Sequence, residues 1–80
     1  MKTVRLRYFA ILREQRGLDA ERVETGAATA GTLYQELRDR HGFTLPAERL
    51  RVAINDALVP WASPIREGDE LVFIPPVAGG

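Results

Sequence analysis

The residues Pro75-Pro76-Val77-Ala78-Gly79-Gly80 carry the one group of unusual reactivity in this 80-residue chain, the α-carboxylate of Gly80. A carboxylate is a poor electrophile until it is activated, and joining it to AMP as a mixed anhydride turns it into one that a sulfur or amine nucleophile can attack. Neither Gly79 nor Gly80 has a Cβ, so a narrow tunnel can admit them and a nucleotide can approach the terminal carbon unobstructed. The two prolines fix φ near about −65° and aim the tail away from the body in an extended direction. Val77 to Gly80 then reaches about 13 Å at roughly 3.3 Å per residue. A terminal Gly-Gly arises by chance in about one chain in 200, so the pair gains its weight from the rigid base that precedes it. The expected chemistry is a transient AMP adduct at Gly80, with no stably bound cofactor.

Other reactive constellations are absent or weak. The chain has no cysteine, which excludes a disulfide framework, a thiolate metal site and a thiol nucleophile of its own, so any sulfur must come from outside. His41 is the only histidine. No spacing supplies it with further ligands, so no metal is expected and His41 reads as a helix-end residue. Glu67, Asp69 and Glu70 read as a turn, because nothing around them forms a cleft that would raise a carboxyl pKa. Eleven basic residues balance eleven acidic ones, which argues against a nucleic-acid backbone as partner. The N-terminal residues alternate polar and apolar, and no apolar run approaches 18 residues, so neither a signal peptide nor a membrane span is expected and the location reads as cytoplasmic. A domain of this size buries only about 60–65% of its unfolded surface, leaving space for a shallow or shared site.

The tail must be positioned by what precedes it. Val4, Leu6 and Tyr8 alternate with Thr3, Arg5, Arg7 and Phe9, predicting an opening strand over residues 2–9. Residues 10–16 are good helix formers stopped by Gly17, and residues 19–25 read as a weaker strand. Thr29 is placed to cap a main helix whose Leu33, Tyr34 and Leu37 share a face and which Gly42 ends. Residues 51–59 form a hairpin around Asn55-Asp56, and residues 70–74 a last strand before Pro75. This is an α+β plan of four to five strands in a mixed sheet, with one main helix on one face: a single domain over residues 1–74 and an extended tail over 75–80.

One helix covers only one face of such a sheet, so the other is solvated or meets a partner. With Val4, Leu6 and Tyr8 facing the core, Phe9 falls outside. With Leu71 and Phe73 facing the core, Val72 and Ile74 fall outside, and Leu58 in the hairpin is a third exposed candidate. Singly such residues are common on surfaces, and a contiguous patch of the three would favour a protein interface. Tyr34 reads as core packing, while Trp61 fits either a loop anchor or an interface contact.

The ending from Glu67 to Gly80, the opening Arg7-Tyr8-Phe9-Ala10-Ile11-Leu12-Arg13-Glu14 and the hairpin Val52-Ala53-Ile54-Asn55-Asp56-Ala57-Leu58-Val59 closely resemble the molybdopterin synthase small subunits, the MoaD-type sulfur carriers. The resemblance spans essentially the whole chain. It implies a ubiquitin-like β-grasp fold and a Gly80 that is adenylated by an E1-like adenylating enzyme of the MoeB type. Gly80 is then converted to a thiocarboxylate, with a sulfurtransferase or cysteine desulfurase as sulfur source, and inserted into a MoaE-type large subunit. There the sulfur forms the dithiolene of molybdopterin from cyclic pyranopterin monophosphate. Gly79 would allow the passage of the tail, and Phe9, Leu58, Ile74, Pro75, Pro76 and Val77 would meet the large subunit, which holds the catalytic pocket; the family usually has an aromatic where Ile74 stands. Two alternatives share the tail chemistry: a ThiS-like carrier for thiazole synthesis, whose chains are shorter and lack the Pro-Pro exit, and a ubiquitin-like modifier joined to lysines of other proteins. A third reading is an interaction module with an inert tail.

Overall fold

A computed structural model describes residues 1–76. Five strands and two α-helices follow in the order β1 (Lys2–Tyr8), α1 (Ala10–Arg16), β2 (Ala20–Thr25), α2 (Ala30–His41), a 3-10 turn (Ala47–Arg49), β3 (Arg51–Ile54), β4 (Ala57–Val59) and β5 (Glu70–Ile74). The strands form one sheet in the order β2-β1-β5-β3-β4. β1 and β5 lie parallel at its centre, and the remaining neighbours are antiparallel. This is the ubiquitin-like β-grasp arrangement, with α2 crossing one face.

Alternation sets the two faces of the sheet. Val4, Leu6 and Tyr8 on β1, Leu71 and Phe73 on β5 and Val52 on β3 are buried beneath Leu33, Tyr34 and Leu37 of α2. α1 adds Leu12 to the same core. The Tyr34 ring lies 5.2 Å from that of Phe73 and is stacked on Phe43 at 6.1 Å. Its hydroxyl donates to the Leu45 carbonyl at 2.6 Å, so its polar tip is satisfied inside the core. Trp61 proves to be a loop anchor: its ring stacks on Phe73 at 6.1 Å and tilts against Tyr34 at 5.6 Å.

Local chemistry explains the boundaries. The Thr29 hydroxyl accepts from the Thr32 amide at 3.2 Å, as expected of a cap. Two further first-turn amides, those of Ala30 and Gly31, donate to the carbonyls of Ser63 and Trp61 at 3.0 and 2.9 Å, so the 60–65 loop completes the cap that Thr29 begins. Gly17 and Gly42 end the two helices in the left-handed conformation, at φ 79° and 73°. Asn55 and Asp56 take φ 50° and 71°, which suits the twist of a two-residue hairpin turn. The opening strand is one residue shorter than its alternation predicts, because Phe9 serves as the N-cap of α1. It is followed by Ala10 at φ 51°, a left-handed conformation that costs a residue with a Cβ about 1–2 kcal/mol.

Candidate functional site

The sheet face opposite α2 is built by the same alternation. In register, Arg22, Arg5 and Glu70 form one row across β2, β1 and β5. Ala20, Arg7, Val72, Ala53 and Leu58 form the next, across all five strands. Ile74 and Arg51 form a third at the end of β5. Phe9 follows β1 on the side of Arg7, whose guanidinium carbon lies 5.6 Å from the centre of its ring, a cation–π arrangement. Phe9 is 42% exposed and Leu58 60%; Val72 and Ile74 are half-buried. The sequence-predicted residues Phe9, Leu58 and Ile74 therefore share one face, joined by Val72 and Ala53 into an apolar band bordered by arginines.

The tail begins at the end of the strand that carries Val72 and Ile74. Pro75 and Pro76 follow Ile74 at the end of the central strand, beside a groove of about 220 Å³ lined by Glu48, Arg49, Leu50, Arg51, Ile74 and the two prolines. Val77, Gly79 and Gly80, to which the sequence assigns the chemistry, lie outside the described residues.

The remaining titratable groups serve the fold. The Glu21 carboxylate accepts two hydrogen bonds from the Arg16 guanidinium, both at 2.8 Å, and one from the Tyr8 hydroxyl at 2.7 Å. The bonds from Arg16 hold its pKa below the ordinary carboxylate range, with Tyr8 adding to them against the opposing effect of burial. Burial pushes the Tyr8 phenol far up, helped by its bond to Glu21. His41 Nε2 lies 4.0 Å from Glu21, and burial lowers the imidazole pKa, with Arg16 adding to the effect and Glu21 opposing it. The acidic turn is also structural. Asp69 accepts from the Arg66 amide at 2.8 Å and the Asn55 side chain at 2.9 Å, and Glu67 accepts from the Thr3 amide at 2.9 Å. Among the described residues no group of three or more His, Cys, Asp or Glu could hold a metal ion, and no helix is long and apolar enough to cross a membrane.

Comparison with known proteins gives this surface a context. The ThiS family model matches residues 6–80. The molybdopterin synthase sulfur carrier subunit of Haemophilus influenzae is 41% identical over 76 residues, covering 91% of this chain and 94% of that protein. The chain belongs to the ThiS family, alongside molybdopterin synthase sulfur carrier subunits. The Escherichia coli subunit of the same name is 36% identical over 80 residues, covering 96% of this chain and 99% of its own length. A solved protein–protein complex of subunits 1 and 2 of the Helicobacter pylori molybdopterin-converting factor contains a chain that matches with a TM-score of 0.68 and 24% identity. The match covers 98% of this chain and 99% of that one, a likeness of fold.

Alternation in the sequence placed Phe9 with Arg5 and Arg7 and set Ile74 with Val72 outside, but missed Ala53, Arg22 and Arg51 as members of the same surface. Their common face depends on which strands are neighbours. The parallel pairing of β1 with β5 joins segments more than sixty residues apart, and no local pattern announces it.

Proposed function

We propose that this chain is the small, sulfur-carrying subunit of a molybdopterin synthase. Its Gly80 carboxylate reacts with ATP on an adenylating enzyme to give the acyl adenylate and pyrophosphate. A persulfide sulfur displaces AMP, and a thiol then releases the thiocarboxylate while itself becoming part of a disulfide. The loaded tail enters a large subunit that supplies the pocket for the pterin precursor, and the chain itself is not catalytic alone. The observation that carries this reading is the apolar band of Phe9, Ile74, Val72 and Leu58 beside the Pro75-Pro76 exit, in a chain whose relatives at 36–41% identity are molybdopterin synthase sulfur carriers. A partner seated on the band faces the start of the tail, and the roughly 13 Å beyond it is enough to enter a channel.

The intact mass of the chain after incubation with ATP, a MoeB-type enzyme and a persulfide source tests the reading. Exchange of the terminal oxygen for sulfur adds about 16 Da at Gly80, and the sulfur is then expected to pass to the pterin precursor on the large subunit. No mass change with a competent enzyme overturns the carrier reading. A loaded chain that serves only thiazole formation instead establishes the ThiS-like alternative. Self-linked polymeric modifier chains are disfavoured, because Lys2, the only lysine, donates its Nζ to the Ala27 carbonyl at 2.7 Å.

A further inference from the structure

The open face holds three arginines in positions from which the isolated fold gains little. Arg5 and Arg22 stand directly opposite one another across β1 and β2, and like charges so placed destabilise a sheet. Arg5 is partly relieved by Glu70 at 3.9 Å. Arg7, one position along the same face, has Ala20 and Val72 as its cross-strand neighbours. Neither Arg7 nor Arg22 forms an ion pair among the described residues.

Arg5, Arg7, Arg22 and Glu70 are among the residues that line a shallow cavity of about 430 Å³. Glu21 also lines it, but its carboxylate is held by Arg16 and Tyr8. The cavity therefore carries an excess of positive charge in a chain whose formal charge is zero. Arg7 links it to the apolar band through its contact with Phe9.

We propose that Arg5, Arg7 and Arg22 form the electrostatic half of the docking face and receive an acidic segment of the protein that takes up the tail. That segment presents at least two carboxylates beside an apolar patch that covers Phe9 and Ile74. Carboxylates fit because a guanidinium offers paired donors in one plane, and the arrangement steers the approach while the apolar band supplies the contact area. The inference rests on the carrier reading, since that reading defines the partner.

Calorimetric titration of the full chain with the purified large subunit, at about 50 and 300 mM salt, tests it. Wild type is compared with the doubles Arg7→Gln/Arg22→Gln and Arg7→Glu/Arg22→Glu and with Phe9→Ala. The glutamine double is expected to raise Kd about tenfold at low salt and to flatten the salt dependence, and the charge reversal to raise Kd further. The glutamine double is also expected to melt no lower than wild type, because removing Arg22 relieves Arg5. Wild-type binding that both doubles leave unchanged at both salts overturns this inference and leaves the carrier reading standing, with Phe9→Ala reporting the apolar half. A wild type that fails to bind the large subunit overturns both. Retention of RNA by wild type but not by the doubles, with large-subunit binding unchanged, also overturns it by giving the cluster a different partner.

Discussion

Phe9 and Leu58 already face water in the free chain, so shortening either side chain removes little buried area. Phe9→Ala is expected to change stability by no more than about 0.5 kcal/mol while raising Kd for the large subunit about tenfold or more; calorimetry together with thermal unfolding checks both halves. Ile74 is half-buried, so Ile74→Ala should weaken the same binding at a somewhat larger cost to Tm. Trp61 behaves in the opposite way. Trp61→Ala removes the stack on Phe73 and the contact with Tyr34, a loss of about 2 kcal/mol or more that lowers Tm by about 8–16 °C with binding intact. At this scale the sequence was legible wherever one strand's own alternation decided the outcome, as for Phe9 and Ile74. It was silent on Trp61, whose neighbours come from α2 and β5, and on the opposition of Arg5 and Arg22, which exists only once β1 and β2 are paired.

Four elements meet around Glu21. Arg16 comes from the last turn of α1, His41 from the last turn of α2 and Glu21 from β2, with Tyr8 of β1 beneath them. Glu21 and His41, the two groups that titrate below neutrality, give stability the same sign of pH dependence. The folded chain holds Glu21 ionised more strongly than the unfolded chain does, so the stabilisation is complete above about the ordinary 4.5 and is lost as pH falls through the lowered folded value. The folded chain also disfavours protonated His41, so the unfolded chain takes up that proton first and stability declines as pH falls below 6.5. Tm should therefore be flat from neutrality to about pH 10, fall gently below 6.5 and more steeply below 4.5, and fall again above 10, where the unfolded chain ionises Tyr8 and the folded chain does not. His41→Gln should remove the first decline and keep the second. A Tm that rises on acidification from neutrality would contradict the assignment. The sequence marked every element that meets here, and α1 and α2 end at the glycines that punctuate them. It did not mark the junction itself, because residues 8, 16, 21 and 41 converge only when the sheet and both helices have docked.

Across the whole molecule, the buried core draws on residues from Val4 to Phe73, while the chemistry is assigned to the chain beyond Pro76. Deleting Gly79 and Gly80 should therefore leave Tm within about 2 °C of wild type and abolish sulfur loading, measured by intact mass and by a reconstituted synthase assay. Composition and element order were enough to read an α+β sheet with one covered face. The central place of β5, and with it the start of the tail at the end of the middle strand, follows from a long-range pairing that composition does not encode.

The parallel neighbours at the centre of the sheet also fix how the molecule bears mechanical load. A partner that grips the tail pulls on the end of β5, whose ladders to β1 and β3 each comprise four register pairs. If the chain is held at the start of β1, the pull slides two parallel strands past one another, so their hydrogen bonds must yield together instead of peeling apart in turn. Tension on the tail is thus resisted by the strongest direction of the sheet. Single-molecule pulling between the two ends of the chain should require a higher force than pulling across the β3–β4 hairpin, whose pairs can open one after another. A carrier with this geometry can be tugged out of one enzyme and threaded into the next while remaining folded.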